Sequence, residues 1–103
     1  MQGINFSGSD LTNTNLKGND MTGANFENAN LSGAILECNK RNRTKLGYAN
    51  IKKANLSNAN LKGVWLQGAN LAGADLNHAD LSPDTAEGDH TFTLSILTSA
   101  ALI

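Results

Sequence analysis

Large apolar residues return at every fifth position along this chain. Counting from Phe6, the series runs Phe6, Leu11, Leu16, Met21, Phe26, Leu31, Leu36, Arg41, Leu46, Ile51, Leu56, Leu61, Leu66, Leu71, Leu76 and Leu81, and 15 of these 16 centres are large and apolar. Between residues 4 and 83 only Ile4 and Ile35 are Leu, Ile, Met or Phe outside that phase. Two residues before each centre the side chain is usually small, as at Ala24, Ala29, Ala54 and Ala74. One residue before, 12 of 16 are Asn or Asp, and two residues after, Gly appears seven times.

A period of five matches neither the 3.6 of a helix nor a long run at the strand period of 2. It fits a very short extended stretch followed by a corner, repeated. The small residue and the large centre lie two apart, so extended backbone points both inward, and the Asn or Asp between them faces out. Asn, Asp and Gly suit the corners, because they tolerate unusual dihedrals or bond nearby backbone. A chain that turns this often satisfies its backbone polar groups only by pairing with the turns above and below.

Units such as Ala24-Asn25-Phe26-Glu27-Asn28, Ala54-Asn55-Leu56-Ser57-Asn58 and Ala69-Asn70-Leu71-Ala72-Gly73 resemble the A(D/N)LXX unit of pentapeptide-repeat proteins. The resemblance covers residues 4–83. It implies an all-β fold, a right-handed quadrilateral β-helix with four units and 20 residues per coil, hence about four coils. At ~4.8 Å between coils the stack is ~20 Å tall. Function does not travel with the fold.

The pattern breaks at Asn39-Lys40-Arg41-Asn42-Arg43. An unpaired guanidinium at the Arg41 centre would cost several kcal/mol or more in a narrow apolar interior. Residues 39–43 are therefore expected to loop outward, with the coil resuming near Thr44. Because that excursion is one unit long, the count stays in phase while the face assignment after it shifts by one. Such a loop serves either as a tolerated surface insertion or as a recognition element.

Charge is layered around this break. Lys40, Arg41, Arg43, Lys45, Lys52, Lys53 and Lys62 are seven of the eight cations, and no acid falls between Glu37 and Asp75. The formal net charge of -1 hides this belt between acidic ends. Charge spreading for solubility and docking of an anionic partner both explain it. Trp65 replaces the usual Asn, and residues 20 apart stack in the family's geometry, which sets Trp65 above Lys45 on the face that also carries Tyr48. Lys45 against Trp65 is then a cation–π contact worth ~0.5–1 kcal/mol if exposed, serving packing or an interaction surface. The expected partner-binding residues are Arg41, Arg43, Lys45, Tyr48, Lys52, Lys53 and Trp65.

Regular units stop at Pro83, and residues 84–103 read as a polar linker followed by an apolar segment from Thr91 to Ile103. Phe92, Leu94 and Ile96 alternate as in a strand, while Leu94, Leu97 and Ala101 equally fit one face of a short helix. A solenoid end needs cover, so this segment is expected to form a C-terminal cap, with a homodimer contact through 91–103 as the second choice. No comparable cap precedes Ile4.

Catalytic chemistry finds little support. In uninterrupted register Cys38 and His78 share a column two coils apart, ~10 Å against the roughly 3 Å of a nucleophile–base pair; with the loop excluded they lie on different faces. Cys38 reads as a surface or corner residue and His78 as a solvated corner. Two His with Asp80 and Asp89 lack tight ligand spacing, so no metal is expected. The glycines recur at corner phase and form no phosphate-cradling loop. Hexapeptide-repeat acyltransferases run at period six. Ice-binding solenoids need Thr ladders, and in uninterrupted register the outward columns read Thr12, Ser32, Lys52, Ala72 and Thr22, Asn42, Lys62, Ser82. One cysteine excludes an internal disulfide and suits a reducing compartment. The start MQGINFSGSD lacks basic and apolar signal regions, and no run approaches 18 apolar residues.

The sequence therefore leads to a non-enzymatic binding or scaffold module, cytoplasmic, without cofactors or membrane insertion, docking a protein partner through the basic-aromatic belt. Two alternatives are carried. One is a DNA-mimicking regulator of a type II topoisomerase such as gyrase, a role that some family members have; its acidic rod differs from this basic middle. The other is weak binding of nucleic acid or an anionic surface, which the acidic ends disfavour.

Overall fold

The computed structural model describes residues 3–82, and the readings of the tail and of His90 lie outside the described residues. Each five-residue unit contributes one residue to an isolated parallel bridge with the winding above or below. Asn5 pairs with Asn25, Asp10 with Asn30 and Asn15 with Ile35, a step of 20 residues. The next four pairs, Asp20–Lys45, Asn25–Asn50, Asn30–Asn55 and Ile35–Asn60, step by 25. Beyond them Lys45–Trp65, Asn50–Asn70, Asn55–Asp75 and Asn60–Asp80 return to 20. Every pair that spans residues 39–43 is thus longer by one unit, and that segment lies outside the winding count.

The windings are held by backbone bonds, three per regular unit. Asn50 N donates to Ala24 O at 2.9 Å, Phe26 N to Asn50 O at 2.7 Å and Asn28 N to Lys52 O at 3.0 Å. Corners close where one unit meets the next, as Ala29 N donates to Phe26 O at 2.9 Å. The third residue of each such turn is left-handed: Asn28 has φ 62° and Gly23 φ 72°. Such a turn requires positive φ there, which explains Gly and Asn two residues after each centre. In twelve units the Asn or Asp before the centre accepts the N–H of the residue after it, as Asn25 Oδ1 does from Glu27 N at 2.9 Å. That outward amide or carboxylate is therefore a built-in partner for a corner N–H. Bonds from the Thr12 and Ser82 hydroxyls, seconded by the backbone N–H of the same residues, hold the Asp10 and Asp80 carboxyls below the usual carboxylate range.

Four faces follow, each named here for one of its centres. The Phe26 face stacks Phe6, Phe26, Ile51 and Leu71; the Leu31 face stacks Leu11, Leu31, Leu56 and Leu76; the Leu36 face stacks Leu16, Leu36, Leu61 and Leu81; the Leu46 face stacks Met21, Leu46 and Leu66. Centres from Met21 to Leu71 are buried, with Ala at the small inward slots. Phe6 and Phe26 stack with centroids 5.1 Å apart. Fully burying such side chains contributes roughly 1.5–3 kcal/mol each.

Arg41 is exposed in the loop, outside the central slots, where the sequence favoured placing it. Two expectations need correction. Cys38 is 1% exposed and belongs to the core, whereas a corner position was expected; among the described residues outside the 39–43 loop it is the one at its repeat slot without positive φ. The columns also shift. Ser57, not Lys52, lies above Ser32, and their Oγ atoms are 3.2 Å apart. Lys62 stacks over Glu37 and Cys38 rather than over Asn42, its carbonyl accepting from Cys38 N at 2.8 Å.

Gly23 and Gly68 share one column and the same φ of 72°, yet differ in surroundings. A Cβ on Gly23 would meet nothing within 4 Å, whereas one on Gly68 would fall 2.5 Å from the Tyr48 ring. Gly23→Ala is expected to lower unfolding free energy by ~1 kcal/mol through backbone strain alone. Gly68→Ala should cost ~1 kcal/mol more, because the ring must move. Urea denaturation of the two variants measures the difference, and equal losses would remove the Tyr48–Gly68 packing from the account.

Candidate functional site

The loop leaves and re-enters the solenoid at the corner between the Leu36 and Leu46 faces. It is a small self-bonded turn: Asn39 Oδ1 accepts from Arg41 N and from Asn42 N, each at 3.0 Å, and Asn39 N donates to Asn42 O at 2.9 Å. Thr44 anchors its return. This residue fills an inward slot usually given to Ala and is fully buried. Its hydroxyl donates to Glu37 O at 2.8 Å and accepts from Gly18 N at 2.7 Å, joining both sides of the excursion to the winding below.

The repeat rule of an outward Asn or Asp fails in three units of the solenoid, at Ile35, Lys45 and Trp65. Ile35 precedes the loop on the Leu36 face; Lys45 follows it on the Leu46 face, and Trp65 is bridged directly above Lys45. None of these side chains offers the oxygen that serves the corner N–H elsewhere. All three exceptions therefore adjoin one corner of the molecule.

At that corner Lys45 Nζ lies 5.6 Å from the Trp65 ring centroid, within cation–π range. Trp65 is 43% exposed. Arg43, Lys45, Trp65 and Cys38 line an open cleft of about 200 Å³. Lys40 and Arg41 are exposed on the loop, and Lys62 sits in the corner turn above Glu37. Glu37 is engaged by amides: Asn60 Nδ2 donates to its Oε1 and Asn39 Nδ2 to its Oε2, both at 3.3 Å. Asp20, one winding below Lys45, accepts from Thr22 N and Thr22 Oγ1.

The sequence-expected site is thus brought together only in part. Arg43, Lys45 and Trp65 converge on the cleft, with Arg41 on the adjoining loop. Tyr48, 67% exposed, stands three residues further along, its ring packed against Gly68 of the winding above. Lys52 and Lys53 do not join them. They form the turn between the Phe26 and Leu31 faces, bonded to Asn28 below and Ala72 above, which is the diagonally opposite corner. The continuous belt was an effect of reading along the chain; winding separates the cations by face. Cys38, a buried wall of the cleft, escaped the sequence reading because its slot is a corner in every other unit.

Cys38 is buried beside the loop, whereas His78 is exposed with φ 62° in the turn after Leu76, at a different corner. Among the described residues no three His, Cys, Asp or Glu side chains cluster to hold a metal ion, and no helix is long and apolar enough to cross a membrane.

The family model for pentapeptide repeats (8 copies) matches residues 1–37 and 43–82, so its gap overlaps the loop. Comparison with curated proteins gives no match. Among solved structures the chain is similar to HetL, a pentapeptide repeat protein involved in heterocyst differentiation regulation from the cyanobacterium Nostoc sp. strain PCC 7120, with 38% identity over 75% of this chain and 35% of that one, TM-score 0.44. It is also similar to the pentapeptide repeat protein Rfr23 from the cyanobacterium Cyanothece 51142, with 29% identity over 82% of this chain and 59% of that one, TM-score 0.41. The chain therefore spans about a third of HetL and under two thirds of Rfr23.

Proposed function

Because the chain belongs to the pentapeptide-repeat family, we propose that it is a non-enzymatic docking module, a right-handed quadrilateral β-helix of about four coils that binds a protein partner at the corner carrying the 39–43 loop. One observation carries this reading: every unit that gives up the outward Asn or Asp adjoins that corner. Each such exchange forgoes a side-chain-to-backbone hydrogen bond worth about 1 kcal/mol. Departures from a local rule that group in space mark places where surface chemistry outweighs stability. The chemistry gained is an exposed indole beside several cations, the composition of binding hot spots. The solenoid presents it on a stiff frame, which limits the ordering cost of association.

Affinity capture from the native lysate tests the placement with two charge reversals. Arg43→Glu/Lys45→Glu should lose the partner that the unmodified protein retains. Lys52→Glu/Lys53→Glu makes the same change in net charge at the opposite corner and should keep it. A partner retained by both variants, or lost by both alike, contradicts docking at this corner.

A further inference from the structure

We infer that the cleft beside the loop accepts a short acidic segment of a partner protein, with a carboxylate between Arg43 and Lys45 and a neighbouring apolar side chain against the Trp65 ring. This deepens the docking function proposed above and rests on it. The lining supplies both halves of the recognition: two cations, Arg43 and Lys45, beside an indole and a buried thiol. Lys45 is already held over the Trp65 ring, so its ammonium needs little further ordering to meet an anion. Arginine adds a planar fork suited to carboxylate oxygens.

Size and charge favour a peptide over a nucleic acid. A cleft of about 200 Å³ takes one side chain with its flanking backbone. Lys45 and Trp65 stand on adjacent windings, so the receptive strip is ~5–10 Å long, the reach of two or three extended residues. A carboxylate bounds it below: Asp20 lies in the column under Lys45. A phosphate backbone running past the strip would meet that carboxylate, whereas a short acidic segment ends before it. A single indole also gives no stacking platform for successive bases.

Trp65 is the sole tryptophan, so its fluorescence reports directly on the cleft. The probe is a capped hexapeptide alternating aspartate and leucine, compared with versions carrying asparagine for aspartate or serine for leucine, and with a six-nucleotide oligothymidylate. The acidic-apolar peptide should give a saturable change that weakens with added salt. Both altered peptides should bind less tightly. Arg43→Glu/Lys45→Glu should weaken binding by at least about tenfold, and Lys52→Glu/Lys53→Glu by no more than about twofold. Absence of a saturable change up to about 1 mM peptide, equal binding of the asparagine or serine version, equal loss in both double variants, or tighter binding of the oligonucleotide each overturns the inference. If the peptide fails while the lysate partner still depends on Arg43 and Lys45, the docking function stands and the acidic-segment inference falls.

Discussion

Leu56→Ala is expected to lower the unfolding free energy by about 2–5 kcal/mol, whereas Arg41→Ala should leave it within about 0.5 kcal/mol. Both residues are centres in the five-residue count, so sequence phase alone ranks them equally. Leu56 is 1% exposed and stacked between Leu31 and Leu76. Ala54 and Ala59 lie at the small slots on either side, so little bulk is available to fill the space left by truncation. The interior of the solenoid is one side-chain layer wide, and each winding contacts only its neighbours. A loss of that size is a large part of the roughly 5–15 kcal/mol that holds a small domain folded. Arg41 stands exposed on the loop, where truncation removes no core contact. Urea melts of the two variants decide the matter; equal destabilisation would return residue 41 to the interior.

Thr44→Val should cost about 1–3 kcal/mol even though it preserves side-chain volume. The hydroxyl is the buried polar group where the loop rejoins the solenoid, and it serves Glu37 O and Gly18 N together. Valine fits the slot, as Val64 does one winding above, but offers neither a donor nor an acceptor. The Glu37 carbonyl and the Gly18 amide then lose a common partner. Thr44→Ser keeps the hydroxyl and should recover most of the loss. If valine proves as stable as threonine, the loop is anchored by other contacts, and Thr44 is merely a tolerated variant of alanine. Comparing the Trp65 emission of the two variants would also show whether the cleft depends on that anchor.

The solenoid was legible because its signal is local. Centre, inward alanine, outward asparagine and left-handed corner all fall within five residues, and each has a physical reason that a single unit displays. Lys45 beneath Trp65 was legible for a related cause: both residues follow the insertion, so a step of 20 was sound between them. What the count could not give was register across residues 39–43. An insertion one unit long leaves the phase of every later centre unchanged, so the sequence allowed Arg41 in the core or outside it, and only pairs such as Asn25–Asn50 distinguish the two. The same blindness set Lys52 above Ser32 and joined Lys52 and Lys53 to a belt that winding divides between opposite corners. Cys38 was hidden because its inward orientation arises from the chain leaving the coil, an event without a pattern of its own.

The three exceptional outward residues illustrate how a repeat protein acquires a site. Ile35, Lys45 and Trp65 are separated along the chain by ten and then twenty positions, yet the fold gathers them around one insertion. In a solenoid a departure from consensus costs only local stability, so surface chemistry is free to accumulate at one corner while the remaining faces keep their asparagine columns. The opposite corner, with Lys52 and Lys53 in ordinary turn slots, provides an internal contrast, since reversing its two cations changes the charge as much as reversing Arg43 and Lys45.

Cross-linking by paired cysteines tests the register most directly. In a Cys38→Ala background, Ser32→Cys/Ser57→Cys places two thiols where the hydroxyl oxygens are 3.2 Å apart, within reach of a disulfide after small rotations. Ser32→Cys/Lys52→Cys places them where an uninterrupted step of 20 would stack them, but where the structure sets them on different corners. Mild oxidation should close the 32–57 pair within one molecule and leave the 32–52 pair reduced. Closure of 32–52 with 32–57 left open would return residues 39–43 to the coil and dissolve the corner on which the proposed site is built.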